Sequence, residues 1–111
     1  MLNRGAIIVR PKQPFLDWAA QLDVTGHLPN PNDEQTVYLI PEYDDDIEAV
    51  RILSEGYDVI FEAELEGWHT RQSDWPKNRT FAMFREWFDI EFHSVVEDLC
   101  EYAIEDDEGE A

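Results

Sequence analysis

The stretch FREWFDIEFHSVVEDLC, residues 84–100, decides the fold, because two patterns of secondary structure overlap in it. It holds six large apolar side chains and five carboxylates, and it contains no Gly or Pro that would break a helix. Within it, residues 88–93 alternate apolar and polar side chains, as a strand with one buried face does. If 87–93 forms a strand, Ser94 and Glu97 would make a capping box at the start of a following helix.

A helix explains a longer part of the same region. Apolar residues between Phe81 and Tyr102 recur at steps of three or four, which keeps one face apolar for about six turns at roughly 3.6 residues per turn. Trp87 and Ile90 fit this spacing poorly. Because the helical pattern is the longer one, the sequence favours a long helix here and leaves a third strand at 87–93 as the alternative.

Upstream of this stretch, the sequence predicts two strands around a short helix. GAIIVR (5–10) is apolar and β-branched, which is typical of a buried strand. PFLDWAAQL (14–22) begins with Pro, which suits the first turn of a helix. TVYLIPEY (36–43) is the second strand, and Pro41 favours its end or a sheet edge. Since strand, helix and strand in succession usually form a right-handed parallel crossover, we expect the two strands to be parallel.

A long helix follows the second strand. Three aspartates at 44–46 supply an N-cap, and apolar residues then recur at helical spacing until Gly67 ends the helix. The sequence thus predicts a two-layer α+β or small α/β domain in the order strand, helix, strand, long helix, long helix. We place this single domain at 1–104 and expect the acidic tail, 105–111, to be disordered.

The composition is strongly acidic. There are 26 acidic residues against 8 Lys and Arg, which gives a formal net charge of −18 and a pI near 4.1. Such a surface repels nucleic-acid phosphates and anionic lipids, so we expect neither direct nucleic-acid binding nor membrane binding. The acidity keeps the protein dispersed, serves a basic protein partner, or mimics the charge of a nucleic acid. For a basic partner, the candidate contacts are Asp44, Asp45 and Asp46.

The sequence gives little support for metal or redox chemistry. One cysteine leaves no internal disulfide, and the apolar runs are too short for a signal peptide or a membrane span. Glu86, Asp89, His93 and Glu97 would share one helix face, but that face lies opposite the apolar one and fits a solvated surface better than a metal site. We therefore expect a cytoplasmic protein with no metal and no cofactor.

Two bases form the best candidate for a small-ligand site. Arg10 and Lys12 lie between the first strand and the helix that Pro14 opens, a position where open α/β sheets often bind anions. The alternative is that these bases pair with the surplus acids.

Four tryptophans are many for 111 residues. Trp18 lies on a predicted core face, whereas Trp68, Trp75 and Trp87 border a loop or lie off the apolar stripe and are candidate interface residues. The wide apolar pattern at 81–102 and an unpaired strand edge lead us to expect a homodimer formed through the C-terminal half.

RGAIIVRPKQPFLDWA (4–19) and EWFDIEFHSVVEDL (86–99) together resemble a family of short acidic bacterial proteins to which no activity is assigned. The resemblance implies a bacterial, cytoplasmic protein and carries over no site residue. From the residues themselves we expect a non-enzymatic module that binds a basic partner. The alternatives are a small anion-binding domain or enzyme that uses Arg10 and Lys12, and an acidic nucleic-acid mimic.

Overall fold

The computed structural model describes residues 1–22 and 35–106, which contain three strands and three α-helices. They follow in the order β1 (Arg4–Pro11), α1 (Gln13–Leu22), β2 (Thr36–Pro41), α2 (Asp46–Trp68), a short 3-10 helix (Gln72–Asp74), α3 (Phe81–Trp87) and β3 (Phe88–His93). The predicted α+β class and its first four elements are confirmed.

The three strands form one antiparallel sheet in the order β2-β1-β3. In the register of this sheet, Ile7 of β1 lies opposite Tyr38 of β2 and Phe92 of β3. The predicted parallel crossover is therefore wrong. The crossover rule fixes the hand of a connection between strands that are already parallel, and it does not itself make two strands parallel.

The stretch at 84–100 contains the end of a helix and a complete strand. α3 begins after Thr80, whose side-chain oxygen accepts a hydrogen bond from the Met83 amide at 3.1 Å. β3 follows α3 without a loop. The single long helix that the apolar spacing favoured is wrong, and the alternative with a strand at 87–93 is right to within one residue. The following segment, residues 94–106, forms no helix or strand.

A strand forms here because the sheet needs one beside β1. A sheet of β1 and β2 alone would leave the backbone groups on one side of β1 without partners, and isolated two-stranded sheets are marginally stable. β3 supplies these partners, and its first residue, Phe88, is almost fully buried while the next, Asp89, is exposed. Residues 88–93 therefore adopt the strand that their alternating pattern indicates, and the longer helical pattern does not form a helix across them.

The helices pack against one face of the sheet. Ile7 and Val9 of β1 are fully buried against them, together with Phe61 of α2 and Phe84 of α3. The ring centroids of Phe61, Phe84 and Phe88 lie between 5.2 and 5.9 Å apart, and tilted or T-shaped ring pairs at such distances add to the stability gained from burial. The core is thus an aromatic layer between the sheet and the helices.

The other face of the sheet, which we call the open face, carries the alternate residues of each strand. β1 contributes Ile8 and Arg10 to it, both partly exposed. Because strand residues alternate between faces, the register places Val37 and Leu39 of β2 beside the β1 residues of this face. The open face is therefore apolar along β2.

The N-terminus of α2 forms as predicted. The Asp45 side chain accepts a hydrogen bond from the Glu48 amide at 2.8 Å, and Asp46 and Glu48 add negative charge to the first turn. No helix within 1–22 or 35–106 is both long and apolar enough to cross a membrane. Of the predicted acidic tail, residues 107–111 lie outside the described residues.

Candidate peptide-binding groove

The two edges of the sheet differ in how they are protected against further pairing. In the described part of the chain, β2 and β3 each pair only with β1. Natural edge strands commonly carry charges that discourage another strand from adding. β3 places Asp89, Glu91 and His93 on the open face, whereas β2 places Val37 and Leu39 there, which are 58% and 51% exposed. Apart from Pro41 at its end, which has no N–H to offer an added strand, β2 is therefore the unprotected edge among the described residues.

An apolar groove lies beside β2, between this strand and α2. Its volume is about 520 Å³, within the range of ordinary ligand sites. The strand supplies Tyr38, Leu39, Ile40 and Pro41, and one face of α2 supplies Ile52, Gly56, Val59 and Ile60. Because Ile40 and Ile60 also belong to the core, the floor of the groove is continuous with the packed interior.

The rim of the groove is acidic. Glu42, Glu48 and Glu55 border it, and Arg51 is the one base among its described lining residues. The Arg51 guanidinium already contacts Glu55 at 3.1 Å and Glu48 at 3.9 Å. Residues 44–46 connect Glu42 to the start of α2 and extend the negative charge beyond the rim. A ligand at this groove therefore meets an apolar floor and a surplus of carboxylates.

The three aspartates predicted as partner contacts are exposed, but they have different local roles. Asp45 caps α2 through its side chain, and Asp46 is the first residue of the helix. The backbone amide of Asp44 donates to the Glu48 carboxylate at 3.2 Å. Since the cap depends on Asp45, the charge at Asp44 can be reversed without removing the cap.

A carboxylate and two hydroxyls hold β2 against α2 beside the groove. Tyr38 and Thr36 of β2 donate hydrogen bonds to Glu64 of α2, at 2.7 and 3.1 Å. Burial raises the pKa of Glu64 above its ordinary value, and these two hydrogen bonds oppose that rise. Burial raises the pKa of Tyr38 too, and so does its hydrogen bond to Glu64. Tyr38 therefore keeps its proton and remains a donor to the carboxylate.

This arrangement can bind an extended peptide. β2 presents backbone N–H and C=O groups along the side that does not face β1, and an added strand could pair with them. Alternate side chains of that strand would point to opposite faces of the sheet, so one set would reach the groove. Apolar side chains fit the floor, and Lys or Arg side chains fit the carboxylates of the rim.

The two bases of the predicted anion site are engaged with other parts of the protein. On the open face, the Arg10 guanidinium contacts Glu91 at 3.3 Å and Asp89 at 3.8 Å. The Lys12 ammonium donates to the backbone carbonyl of Arg85 at 3.3 Å. The contacts of Arg10 correspond to the alternative in which bases pair with surplus acids.

The three candidate interface tryptophans are turned towards the protein interior. Trp75 is 8% exposed, and its ring N–H donates to the His69 carbonyl at 2.8 Å. Trp87 packs against the rings of Phe15 and other core residues, and Trp68 is partly buried against the core. Trp75 is therefore a core residue in the folded chain, and the other two are only partly exposed.

The carboxylate and histidine stripe is divided among different elements. Glu86 lies on α3, Asp89 and His93 lie on β3, and Glu97 follows β3, so these four side chains do not share a helix face. Within 1–22 and 35–106, no group of three or more His, Cys, Asp or Glu side chains is placed to hold a metal ion.

Sequence reasoning missed the groove. The run at 36–40 was correctly predicted as a strand, but its residues are apolar at four of five positions, so alternation does not reveal an open face. Pro41 was the available signal, because Pro in a sheet favours an edge strand. Which strand lies beside β2, and on which side, depends on long-range pairing that the segment does not encode.

No protein-family model, curated protein or solved structure matches this chain. The function of the groove has to be inferred from its own geometry and charge.

Proposed function

We propose that this protein is a non-enzymatic interaction module that binds an extended, basic segment of a protein partner along β2. The observation that carries the proposal is the unprotected edge of β2 beside an apolar groove with an acidic rim. The binding mode is the addition of a strand to the sheet, in which backbone hydrogen bonds supply affinity and pockets for alternate side chains supply specificity.

The difference between the two edges supports β2 as the docking strand. An exposed apolar edge favours pairing with any extended chain, and proteins usually suppress this by placing charges there. β3 carries three such polar or charged residues on the open face, but Val37 and Leu39 leave β2 without them. An edge left apolar in so acidic a chain is consistent with a surface that is covered when a partner binds.

The charge around the groove indicates the chemistry of the partner. The carboxylates of Glu42, Glu48 and Glu55 exceed the charge of Arg51, and residues 44–46 add three more. A segment that alternates apolar side chains with Lys or Arg would place its apolar groups on the floor, and the basic side chains at the end that passes residues 42–46 would lie near these acids. Such complementarity speeds association and excludes acidic competitors.

Synthetic peptides test the backbone part of this proposal. The probe is a fluorescein-labelled peptide of about eight alternating Ile and Lys residues, which is long enough to match an ordinary strand. Its matched control carries an N-methyl group on every backbone amide, so that it keeps every side chain and charge but has no N–H to donate from either edge of a strand. We expect fluorescence anisotropy to show binding of the first peptide and roughly tenfold weaker binding, or about 1.4 kcal/mol, of the control. Equal binding of both peptides would contradict strand addition.

Charge reversal tests where the basic peptide binds. Glu42→Lys combined with Asp44→Lys changes the rim and leaves the N-cap at Asp45 in place. The matched control reverses Glu66 and Glu86, two exposed acids outside the groove. We expect the rim variant to weaken binding by roughly tenfold and the control variant to weaken it much less, because screening limits long-range effects at physiological salt. Equal weakening would mean that the acidity acts as a diffuse field, and the groove would not be the site.

The homodimer expected from the sequence, formed through the C-terminal half, stays a prediction. We also propose a second dimer contact at the β2 edge, where a second copy would compete with a peptide. Two features of this edge bear on such pairing. The apolar edge of β2 can pair with itself about a twofold axis, but acidic rims would then face each other, so association should strengthen as salt screens them. Sedimentation at low and physiological salt measures this, and a monomer at high micromolar concentration in both would contradict the dimer.

A further inference from the structure

The segment that follows β3, residues 94–106, presents its apolar side chains to solvent. Leu99 is 94% exposed, Tyr102 76% and Val95 59%. The whole segment forms no helix or strand. Single exposed apolar residues are ordinary, but four of them in one segment of 13 residues, counting Ile104 at 69%, form an apolar stretch of the kind that marks interaction sites.

The same segment has the sequence of an amphipathic helix. Val95, Leu99 and Tyr102 are spaced i, i+4 and i+7, which places them on one helical face. Glu97, Asp98, Glu101 and Glu105 form an acidic stripe that borders this face at Asp98. Ile104 lies on the far side and Asp106 on the apolar face, and the segment holds no Lys or Arg. Ser94 and Glu97 have the spacing of a capping box at its start. The helical pattern that misled the sequence prediction for β3 is thus real over these residues, but it is not realised in the isolated chain.

The start of the segment contacts the N-terminus of the domain. The Leu2 amide donates to the Val96 carbonyl at 2.8 Å, and the N-terminal ammonium contacts Glu97 at 2.9 Å. Since β2 and β3 both run antiparallel to β1, they are parallel to each other and end at the same end of the sheet. The segment therefore leaves the domain at the end where residues 44–46 lie.

We propose that residues 94–106 are a second docking element, which folds into an amphipathic helix when it binds an apolar cleft rimmed by Lys or Arg on a protein partner. A segment that cannot bury its apolar face alone can do so against a partner and is ordered at that moment. An amphipathic helix in an apolar groove, anchored at i, i+4 and i+7, is one of the recurring modes of peptide recognition. The proposal uses residues outside the groove and stands independently of the proposed function.

Charge selects a basic protein cleft over the other possible occupants. The five carboxylates of this segment, without a base, are repelled by an anionic lipid surface and by a second copy of this acidic chain. A cleft with a basic rim attracts them and leaves the apolar face to fill its floor. In such a cleft the apolar side chains of the helix are buried, and its carboxylates pair with the Lys or Arg of the rim.

Nuclear magnetic resonance of the full, isotope-labelled chain tests this inference. The probe is a synthetic amphipathic peptide with a Leu stripe flanked by Lys, and its control has Glu in place of every Lys. We expect the Lys peptide to move the Cα chemical shifts of residues 94–106 to helical values, and the Glu peptide to leave them unchanged. Leu99→Ser combined with Tyr102→Ser should raise the peptide concentration that gives half of the shift change at least tenfold. Because both side chains are exposed, these substitutions should leave the domain folded. The matched control, Val37→Ser with Leu39→Ser in the β2 edge, should respond as the unaltered chain does.

Each contrary result overturns the inference. A helix already present without the peptide, no helical shift at millimolar Lys peptide, an equal response to the Glu peptide, or an unchanged response of the Leu99 and Tyr102 variant would each exclude coupled folding on a basic cleft. Loss of the response in the β2 variant would show that the peptide acts through the groove instead. Because the two pairs of variants lie in different elements, failure here leaves the groove proposal intact, and failure of the groove leaves this one intact.

Discussion

At the scale of single residues, Gly5 shows how tightly one end of the sheet is packed. A Cβ at this position would lie 2.8 Å from a ring carbon of Tyr43, which follows β2 and whose centroid is 6.3 Å from that of Phe92 in β3. Tyr43 thus crosses over β1 from one edge of the sheet to the other, and it can do so because residue 5 has no side chain.

We predict opposite effects of adding a methyl group at two glycines. Gly5→Ala should lower the free energy of unfolding by about 1–3 kcal/mol, because Tyr43 must move. Gly56→Ala should raise it by about 0.5–1 kcal/mol, because Ala is the better helix former and no atom of the described residues lies within 4 Å of the added Cβ. Urea unfolding measures both, and stabilisation by Gly5→Ala would disprove the contact.

Glu64 makes the stability of the fold depend on pH. Its pKa in the folded state is raised, chiefly by burial, so the folded state holds this proton more strongly than the unfolded chain does. The resulting stabilisation is complete below the unfolded pKa of about 4.3 and is lost as the pH rises through the folded pKa. We predict that Glu64→Gln, which cannot ionise, gains stability relative to the unaltered protein between pH 4 and 7. Urea unfolding across this range checks it, and a difference that is constant or falls with pH would contradict the account.

At the scale of elements, the junction between α3 and β3 shows what the sequence could and could not predict. The capped start of α2, the buried run of β1 and the helix at 14–22 each follow from local patterns, and all three form. The junction does not follow, because Phe84 and Phe88 are spaced for a helix yet are both buried when the chain changes from helix to strand between them. The change from helix to strand follows from the pairing of β3 with the free side of β1. That pairing is a long-range contact, which the local sequence does not encode.

The groove was hidden from the sequence for the same reason. Residues 44–46 were identified as candidate contacts from charge alone, and they lie next to the rim. Val37 and Leu39 gave no signal, since their exposure depends on β2 being at an edge. The opposite happened with Trp75. Its position beside a loop made it a candidate interface residue, but the side chain is buried in the core.

Two potential N-caps allow a direct test of where helices begin. Thr80 caps α3 through its side chain, whereas Ser94 precedes a segment without helix. We predict that Thr80→Ala lowers the free energy of unfolding by about 1 kcal/mol. Ser94→Ala should change it by less than about 0.5 kcal/mol, because a surface substitution without a structural role has little effect. Chemical denaturation compares the two, and an equal loss from Ser94→Ala would show that a helix follows β3 in the free protein.

At the scale of the whole molecule, the net charge of −18 acts on both stability and binding. Self-repulsion of the carboxylates favours the expanded chain, and salt screens it with a Debye length of about 8 Å at physiological ionic strength. We predict that the melting temperature rises as NaCl increases from about 10 to 150 mM, a range over which that length falls from about 30 to 8 Å. Calorimetry measures this, and a fall in melting temperature would mean that ion pairs such as Arg79 with Glu62 outweigh the repulsion.

The same charge makes binding of any basic peptide an insufficient test of function, because an acidic surface attracts such peptides without a site. Binding at the groove differs from general electrostatic attraction in two ways. The peptide binds at one place, and its backbone forms hydrogen bonds with β2. The central claim is therefore that a basic, apolar segment pairs with the backbone of β2.

Hydrogen–deuterium exchange of the full chain, with and without the alternating Ile and Lys peptide, tests that claim most directly. We predict that the peptide slows amide exchange at residues 36–40 and in the facing part of α2, and that the N-methylated control leaves exchange at 36–40 unchanged. Exchange at 36–40 that is equally slow with both peptides, or protection that appears only outside β2 and α2, would contradict the account.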